Sequence, residues 1–463
     1  MNTINMSALK LLAQQAIGMA GEQIPPSALN QAKLCILDTL GCILAGSRTE
    51  ESNLILECEP AQESKAVTVF GTSQKRGLRE AIRINAYLGD VLELNDLIGG
   101  HASIGTVTAA MGLAEAVNAT GLQVLEAVVR GIEVTSRVYE AIYPTLRRYT
   151  EMGLVPVGIP STIGAAATAA HLFELDDLQT LNALAIAGSL AGWCPAEVIF
   201  GQGGSVKPML FGAQPADTGV TAAYYARAGM TGPADLLDSK IGYFATASTQ
   251  GHFDEGTWKD RWALMQPRRK LHACCGYLHS PVDALGRLRQ EIPEGTIQHG
   301  HIYVRVSPYV ADVVSKQRMP NSPNDARFHL QYCLALVACG ADVILPEYSI
   351  ELDRHLLRSD VREAMQRITV IQDVALNHYH HCCVQVVGAN GSAFEQALSA
   401  PRGSPQEPMT DDQVIAKFRL LAQPVLGSPC TEKVIVDVLT LEKLNDFSAF
   451  AKSVSTVKTK EIA

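Results

Sequence analysis

Four short stretches of this chain gather side chains able to move protons, hold anions or bind a metal. "LELNDLIGGHASIGT" (Leu92–Thr106) sets Glu93 and Asp96 ahead of a Gly-Gly turn and His101 ahead of a helix-like run. Two carboxylates and an imidazole converging on one turn could transfer protons; the same residues also fit a capped helix with solvated acids. "GQGGSVKPML" (Gly201–Leu210) resembles a phosphate loop in its glycines only, because the Lys-Ser/Thr ending is missing and no strand precedes it. The dinucleotide fingerprint is absent throughout. The glycines are expected to let the backbone run close to a ligand with Lys207 pointing at it, and a buried lysine needs an anion as partner.

"RRKLHACCGYLHSPVDALGRL" (Arg268–Leu288) places Cys274 and Cys275 side by side. Zinc-binding cysteines usually stand about two to four residues apart, so this pair argues against metal. Ser280 reads as a helix N-cap, Pro281 as the first helical residue and Asp283 as the carboxylate three past the cap. His279 would then stand just outside a helix N-terminus, where free N–H groups favour anions, with Arg268, Arg269 and Lys270 adding positive charge. A carboxylate or phosphate site follows; a capped helix with incidental cations fits the stretch equally well. "HYHHCC" (His378–Cys383) would put His378, His380 and Cys382 on one strand face, where they could bind zinc. Its continuation as "VQVVG" into a turn reads as an ordinary strand with one exposed side, so no metal is expected. No G-x-S-x-G elbow and no cysteine-protease signature occurs, and a nucleophilic mechanism lacks its local context.

The elements that must position these groups change character along the chain. The first 250 residues or so read as helix after helix. "PSALNQAKLCILDTLGCILAG" carries apolar residues at helical spacing and stops at Gly46. "SIGTVTAAMGLAEAVNATG" and "STIGAAATAAHLFEL" are Ala-rich and open at a serine. Helices this rich in Ala and Gly pack with close backbones and belong in a core. After Lys270, "HGHIYVRVS", "RITVIQDVAL" and "HCCVQVVGANGSAFEQAL" alternate like strands, the last with a turn at Asn390-Gly391. Helical segments lie between them, around Val282–Gln290 and Phe328–Ala338. "PRGSPQEPMTDDQVIAKFRLLA" is a linker followed by a helix capped by Thr410, with Gln413 completing the capping box. The expected fold is mainly α: a helical domain from residues 1–267 and 408–463, with an α+β domain, 268–407, inserted between. A cleft between two such domains is a favoured ligand site.

Composition narrows the function further. Apolar residues make up 47% and charged residues 18% of the 463, which fits a globular protein and excludes long disordered tails. A net charge of −9 with no long basic run gives no support to nucleic-acid binding. No window of 18 uncharged apolar residues occurs, so no membrane span is expected. Eleven cysteines without a secreted-scaffold spacing, behind an N-terminus without a leader pattern, suggest reduced thiols in a cytoplasm.

In order and spacing, "ILDTLGCILAG", "LELNDLIGGH", "GAAATAAHLFEL", "GGSVKPML", "KLHACCGYLHSPVDAL", "DARFHLQYCLALVACG" and "MTDDQVIAKFRLLA" together resemble the MmgE/PrpD family. That family includes 2-methylcitrate dehydratase, cis-aconitate decarboxylase and iminodisuccinate epimerase. The resemblance implies a large helical domain built from both chain ends, a small α+β lid, a homodimer and cofactor-free chemistry on a small polycarboxylate. It places the catalytic cleft between helical domain and lid. There Asp96 and His101 match the acidic turn, Glu93 stands where another carboxylate is usual, and Lys207 matches the family lysine. Lys270, Cys275 and His279 fall on the motif leading into the lid, and Tyr309 matches a lid tyrosine of the decarboxylase. Expected catalytic groups are therefore His101, Asp96 (orienting His101), Lys207 and Tyr309; expected substrate-binding groups are Glu93, Lys270, Cys275 and His279. The chain departs from the family where Val155 replaces a histidine, Leu97 a common threonine and Leu210 a frequent histidine. The leading expectation is a hydro-lyase of the 2-methylcitrate type. The alternatives are a cis-aconitate-type decarboxylase, an iminodisuccinate-type epimerase, and an inactive binding member of the family.

Overall fold

Glycine and alanine do in the helices what their frequency suggests: they bring backbones together. A Cβ on Gly131 would run into the Thr168 hydroxyl, and one on Gly164 into the Thr135 hydroxyl, so each of helices Gly121–Glu140 and Gly158–Leu172 seats a threonine side chain directly on the glycine backbone of the other. Helices Ala102–Val117, Asp177–Leu190 and Gln214–Arg227 pack around this pair. The computed structural model describes residues 6–19, 24–59, 67–200, 204–254, 256, 261–293 and 295–455. Gly201, Gln202 and Gly203 of the glycine-rich stretch lie outside the described residues.

The chain ends close on one another. Helix Pro26–Gly46 packs along Asp411–Leu426, which opens with the expected capping box of Thr410 and Gln413. Pro26–Gly46 is long and apolar enough to cross a membrane by length and composition, yet 78% of its apolar window is buried inside the fold. One apolar core thus joins residues from both ends of the chain, from Ala8 to Val454.

A second core gathers around a four-stranded sheet. Its order is Ile368–Gln372, His301–Val306, Cys382–Val387, Ala393–Leu398, the first pair parallel and the others antiparallel. Ile302, Val304 and Val306 point inward while His301, Tyr303 and Arg305 point out, the alternation expected of a strand covered on one face. Helices His279–Glu291 and Leu330–Ala338 cover that face. The fold is mainly α with a small α+β part. Tyr149, Val155, Cys194 and Phe211 from the helical part belong to this second core, so the two parts share a seam.

Two local expectations are corrected. Helix His279–Glu291 begins at His279, because a 3₁₀ turn over Gly276–Leu278 runs straight into it. Ser280 therefore caps nothing, and Pro281 sits inside the first turn, where its missing N–H has no intrahelical role. The strand that begins at Cys382 does not reach back to His378, for residues 378–381 form a turn closed by His381 N–H on His378 O at 3.0 Å. The three side chains expected on one strand face are not so aligned, and no cluster of metal-binding type occurs among the described residues.

Candidate active site

Helix Leu78–Asp90 delivers the first carboxylate at its last residue. Tyr87 and Asp90, three apart and so on one face, both reach the segment at the end of the glycine-rich stretch. Tyr87 donates to Ser205 O at 2.7 Å, and Lys207 Nζ donates to Asp90 Oδ2 at 2.9 Å. A single π-helical turn, Met209–Ala213, follows Lys207. It carries Gly212 onto the helix, where a Cβ would lie 2.9 Å from Ala86 O and 3.3 Å from Asp90 Cβ. Only glycine lets Lys207 approach this closely.

The loop from Val91 to His101 folds back over that pair. Glu93 (φ 53°) and His101 (φ 86°) both adopt left-handed backbone, a costly conformation for residues with a Cβ, held where surrounding contacts over-determine it. Gly99 and Gly100 let the loop press on helix Gly121–Glu140; a Cβ at Gly99 would lie 2.9 Å from Ser136 Cα. Glu93 is buried between two lysines, its Oε1 paired with Lys207 and its Oε2 2.8 Å from Lys270 Nζ. Lys270 also donates to Glu93 O at 3.0 Å. From behind, Lys417 donates to Leu94 O (2.9 Å) and Lys270 O (2.7 Å) and pairs with Asp38 at 2.6 Å.

His101 is tied to the same network through a residue that sequence reasoning missed. Its Nδ1 lies 2.7 Å from Asn95 Oδ1, and Asn95 Nδ2 donates to Asp90 Oδ1 at 2.6 Å. A carboxylate paired with an ammonium can only accept, so the Asn95 amide must turn its nitrogen to Asp90 and its oxygen to His101. Nδ1 of His101 then carries the proton, and Nε2 holds a lone pair. Burial, and next Lys270, lower the His101 pKa to about 3, keeping the ring neutral. Its place just before helix Ala102–Val117 acts the same way, since a helix N-terminus disfavours a cation. Burial also lowers Lys207 to about 8, against the pull of Asp90, and lowers Lys270. Phe211 lies between these groups: its ring is 4.3 Å from Lys207 Nζ and edge-on to His101 at 5.5 Å.

The lid side closes on this floor. Leu97 N–H donates to Arg268 O at 2.7 Å, and a Cβ on Gly276 would lie 2.8 Å from Leu97 Cδ1. Between them in the chain lie Lys270, which reaches Glu93, and Cys275. Burial raises the Cys275 thiol pKa, while the charges of Lys270, Lys207 and Lys316 pull it back. Three tyrosines from both parts meet beside it: Tyr277 and Tyr309 hydroxyls are 2.6 Å apart, Tyr149 and Tyr277 hydroxyls 3.4 Å. Burial raises all three pKa values, so these hydroxyls stay protonated.

The residues singled out in the sequence divide accordingly. Glu93, His101, Lys207 and Lys270 converge in one network, with Cys275 above it. Tyr309 joins the tyrosine group. Lys207 does not await a ligand as its only anion; Asp90 and Glu93 already hold it. Asp96 does not orient His101. It faces the other way, accepting from Ser103 with Oδ2, while Oδ1 meets no donor among the described residues. Burial first, then Asp38, raises its pKa to about 6. His279 is not at an open helix end: it is buried, its Nε2 3.3 Å from Cys274 O and its ring against His272. Of the three neighbouring cations Lys270 joins the Glu93 network, whereas Arg269 bonds Gln31 at 2.9 Å and Arg268 bonds Tyr379 at 3.1 Å.

Asn95 and Lys417 lie inside quoted motifs without being singled out, Asp90 lies outside them, and two of the three had a signal. Asp90 ends an apolar helix face, and Lys417 sits on the buried stripe Val414, Phe418, Leu421, where a charge requires a partner. The MmgE/PrpD N-terminal domain matches residues 10–256 and the MmgE/PrpD C-terminal domain residues 272–441. The chain belongs to the MmgE/PrpD family. Similar family proteins include cis-aconitate decarboxylase of Aspergillus terreus, 27% identical over 94% of this chain and 93% of that protein. The cis-aconitate decarboxylase-like protein oryM of Aspergillus oryzae is 26% identical over 93% and 94%, and human cis-aconitate decarboxylase 24% identical over 96% and 94%. In this MmgE/PrpD chain the position of Val155 is apolar and buried, with Val155 N–H donating to Cys194 O at 2.8 Å.

Proposed function

We propose that this chain is a lyase of small polycarboxylates, and specifically a hydro-lyase of the 2-methylcitrate type. The observation that carries the reading is His101: a neutral imidazole with Nδ1–H engaged by Asn95 and a lone pair on Nε2. Its Nε2 lone pair is the acceptor, and the Lys270 charge that lowers its basicity also stabilises the enolate that proton removal creates. Elimination of water needs a base for the hydrogen next to a carboxylate, an acid for the departing hydroxyl, and positive charge beside the carboxylate whose enolate character develops. His101 Nε2 takes the proton, the C–H electrons form the double bond, and the C–O bond breaks. Lys207, its pKa lowered to about 8, gives the hydroxyl a proton so that it leaves as water. Lys270 faces the developing enolate charge. His101 and Lys207 are the two ends of the hydrogen-bonded chain through Asn95 and Asp90, which fixes base and acid relative to one another. Phe211, beside Lys207 and His101, and the buried Val155 and Cys194 of the same apolar cluster make these surroundings apolar, which suits an alkyl substituent on the substrate.

A second reading, decarboxylation of an unsaturated tricarboxylate, is favoured by the names of the relatives. It needs a proton donor at the carbon that loses CO₂, a role for Lys207 rather than for the neutral His101 ring. Incubation with citrate, methylcitrate, aconitate and iminodisuccinate in D₂O, followed by NMR, separates the readings. Loss of hydroxyl supports the hydro-lyase, loss of CO₂ the decarboxylase, and deuterium exchange alone an epimerase. No turnover of any of them would remove the polycarboxylate reading.

A further inference from the structure

A cavity of about 340 Å³ lies between residues 343–346, residues 402–409 and helix Asp411–Leu426. None of the groups assigned to the reaction lines it. Its walls are apolar, with Leu94, Leu271, Leu345, Met409 and Leu420 among them, and Leu420 is left 53% exposed. The volume is roughly twice the ~150 Å³ that holds a benzene ring in a protein interior, which is room for an unbranched chain of about eight carbons.

Two cations line this cavity, and they differ in what they have left to give. Lys417 has all three donors engaged, by Leu94 O, Lys270 O and Asp38. Arg402 is held without being exhausted. Its backbone N–H and its Nε donate to the buried Asp283 at 2.8 and 2.7 Å, and Nη2 donates to Asp342 O at 3.3 Å. Nη1 has no hydrogen-bond partner among the described residues, and the side chain is 39% exposed, within reach of a ligand from solvent. Glu407, the acid of the same lining, is paired with Arg287 at 2.6 Å and does not oppose an anion.

The cavity also touches the backbone that carries the candidate active site. Leu94 follows Glu93 and Leu271 follows Lys270, two residues whose side chains pair at 2.8 Å. Lys417 ties the two backbones together through Leu94 O and Lys270 O. A molecule packed on Leu94 and Leu271 makes contacts that an opened loop loses, so its binding opposes that opening.

We propose that this cavity binds a medium-chain aliphatic carboxylate, its chain against the leucines and its carboxylate on Arg402 Nη1, and that occupancy stiffens the loop from Val91 to His101. The proposal does not depend on the polycarboxylate reading, and its test needs no turnover.

Calorimetry on the full chain with octanoate is the first measurement, and binding at one saturable site is expected. Hexanoate, two methylenes shorter, should bind about tenfold more weakly. Octanol, with the chain but not the charge, should also bind about tenfold more weakly. Ala416→Trp, at an exposed position on the cavity wall, fills the space and should remove octanoate binding. Octanoate should slow amide hydrogen exchange across residues 91–101 in the parent and not in Ala416→Trp. No binding, octanol equal to octanoate, binding unchanged by Ala416→Trp, or unchanged exchange in the loop would each overturn the proposal. If octanoate does not bind and Ala416→Trp lowers the mass seen by light scattering, a second copy covers the cavity and the proposal is likewise overturned. Should Ala416→Trp not fold, Leu420→Glu sets a like charge on the wall and should weaken octanoate at least about tenfold.

Discussion

Asn95 stands between His101 and Asp90, 2.7 Å from the one and 2.6 Å from the other, and a single amide thereby decides which ring nitrogen of His101 is free. His101→Ala removes the proposed base and should lower kcat about 10²- to 10⁴-fold with little change in KM. Asn95→Leu keeps the imidazole but frees its tautomer. A drop in kcat of about 10- to 100-fold is expected, the cost typical of losing a residue that orients a functional histidine. Steady-state kinetics on the substrate found by NMR check both; an Asn95→Leu enzyme at full rate would detach Asn95 from the mechanism.

Lys207, the proposed acid, can donate only while protonated, and its pKa is lowered to about 8. The rate should therefore hold below that value and fall about tenfold per pH unit above it. His101, lowered to about 3, should add no acidic limb near neutrality. A pH–rate profile of kcat/KM measures both limbs. A rate that rises through pH 8 would mean that the free amine is the active form.

Cys275 packs over the two floor lysines with a thiol that burial keeps protonated. Cys275→Ser fills nearly the same space and should retain turnover within about tenfold, since the thiolate is the reactive form of cysteine and is disfavoured here. Loss of all activity on this change, with His101→Ala near normal, would make the cysteine the chemical group.

Lys417 is the buried post behind the loop from Val91 to His101. Lys417→Met strands Asp38 without its partner and leaves Leu94 O and Lys270 O unserved. A loss of about 3–5 kcal/mol in urea unfolding is expected for breaking such a buried pair. The double change Lys417→Met with Asp38→Leu should recover part of it.

Asp96 is raised to about 6 in the fold from an ordinary 3.8. The folded chain thus binds this proton more tightly than the unfolded chain. Its contribution to stability is full below pH 3.8 and is lost as pH rises through about 6. Asp96→Asn keeps a polar group for Ser103 and removes the titration. The difference in unfolding free energy between variant and parent should move in the variant's favour between about pH 4 and pH 7. A difference that does not vary with pH would mean that Asp96 is charged without penalty.

Much of the architecture is legible from residue type and spacing, because it depends on short-range rules. Apolar residues at helical spacing mark Pro26–Gly46, the Thr410–Gln413 box opens the helix beginning at Asp411, and alternation marks His301–Val306. The hairpin turn falls at Asn390-Gly391, where Gly391 takes φ 82°. Boundaries are less legible where two local preferences compete. Ser280-Pro281 is a good helix start, yet the preceding turn already has helical geometry and overrides it.

The sequence by itself singled out Glu93, His101, Lys207 and Lys270, which the fold brings into one network, and pointed to the two chain ends packing together among helices. Only the tertiary structure decided who faces whom. Asp90 lies 117 positions from Lys207 and Glu93 177 from Lys270, and no spacing rule spans such distances. Asp96 and Asn95 are neighbours in the same motif, but their side chains leave the loop in different directions. The carboxylate that reads as the orienter is turned toward Ser103, and the amide beside it holds His101. Left-handed backbone at Glu93 and His101 sets those directions, and it persists because long-range contacts over-determine it.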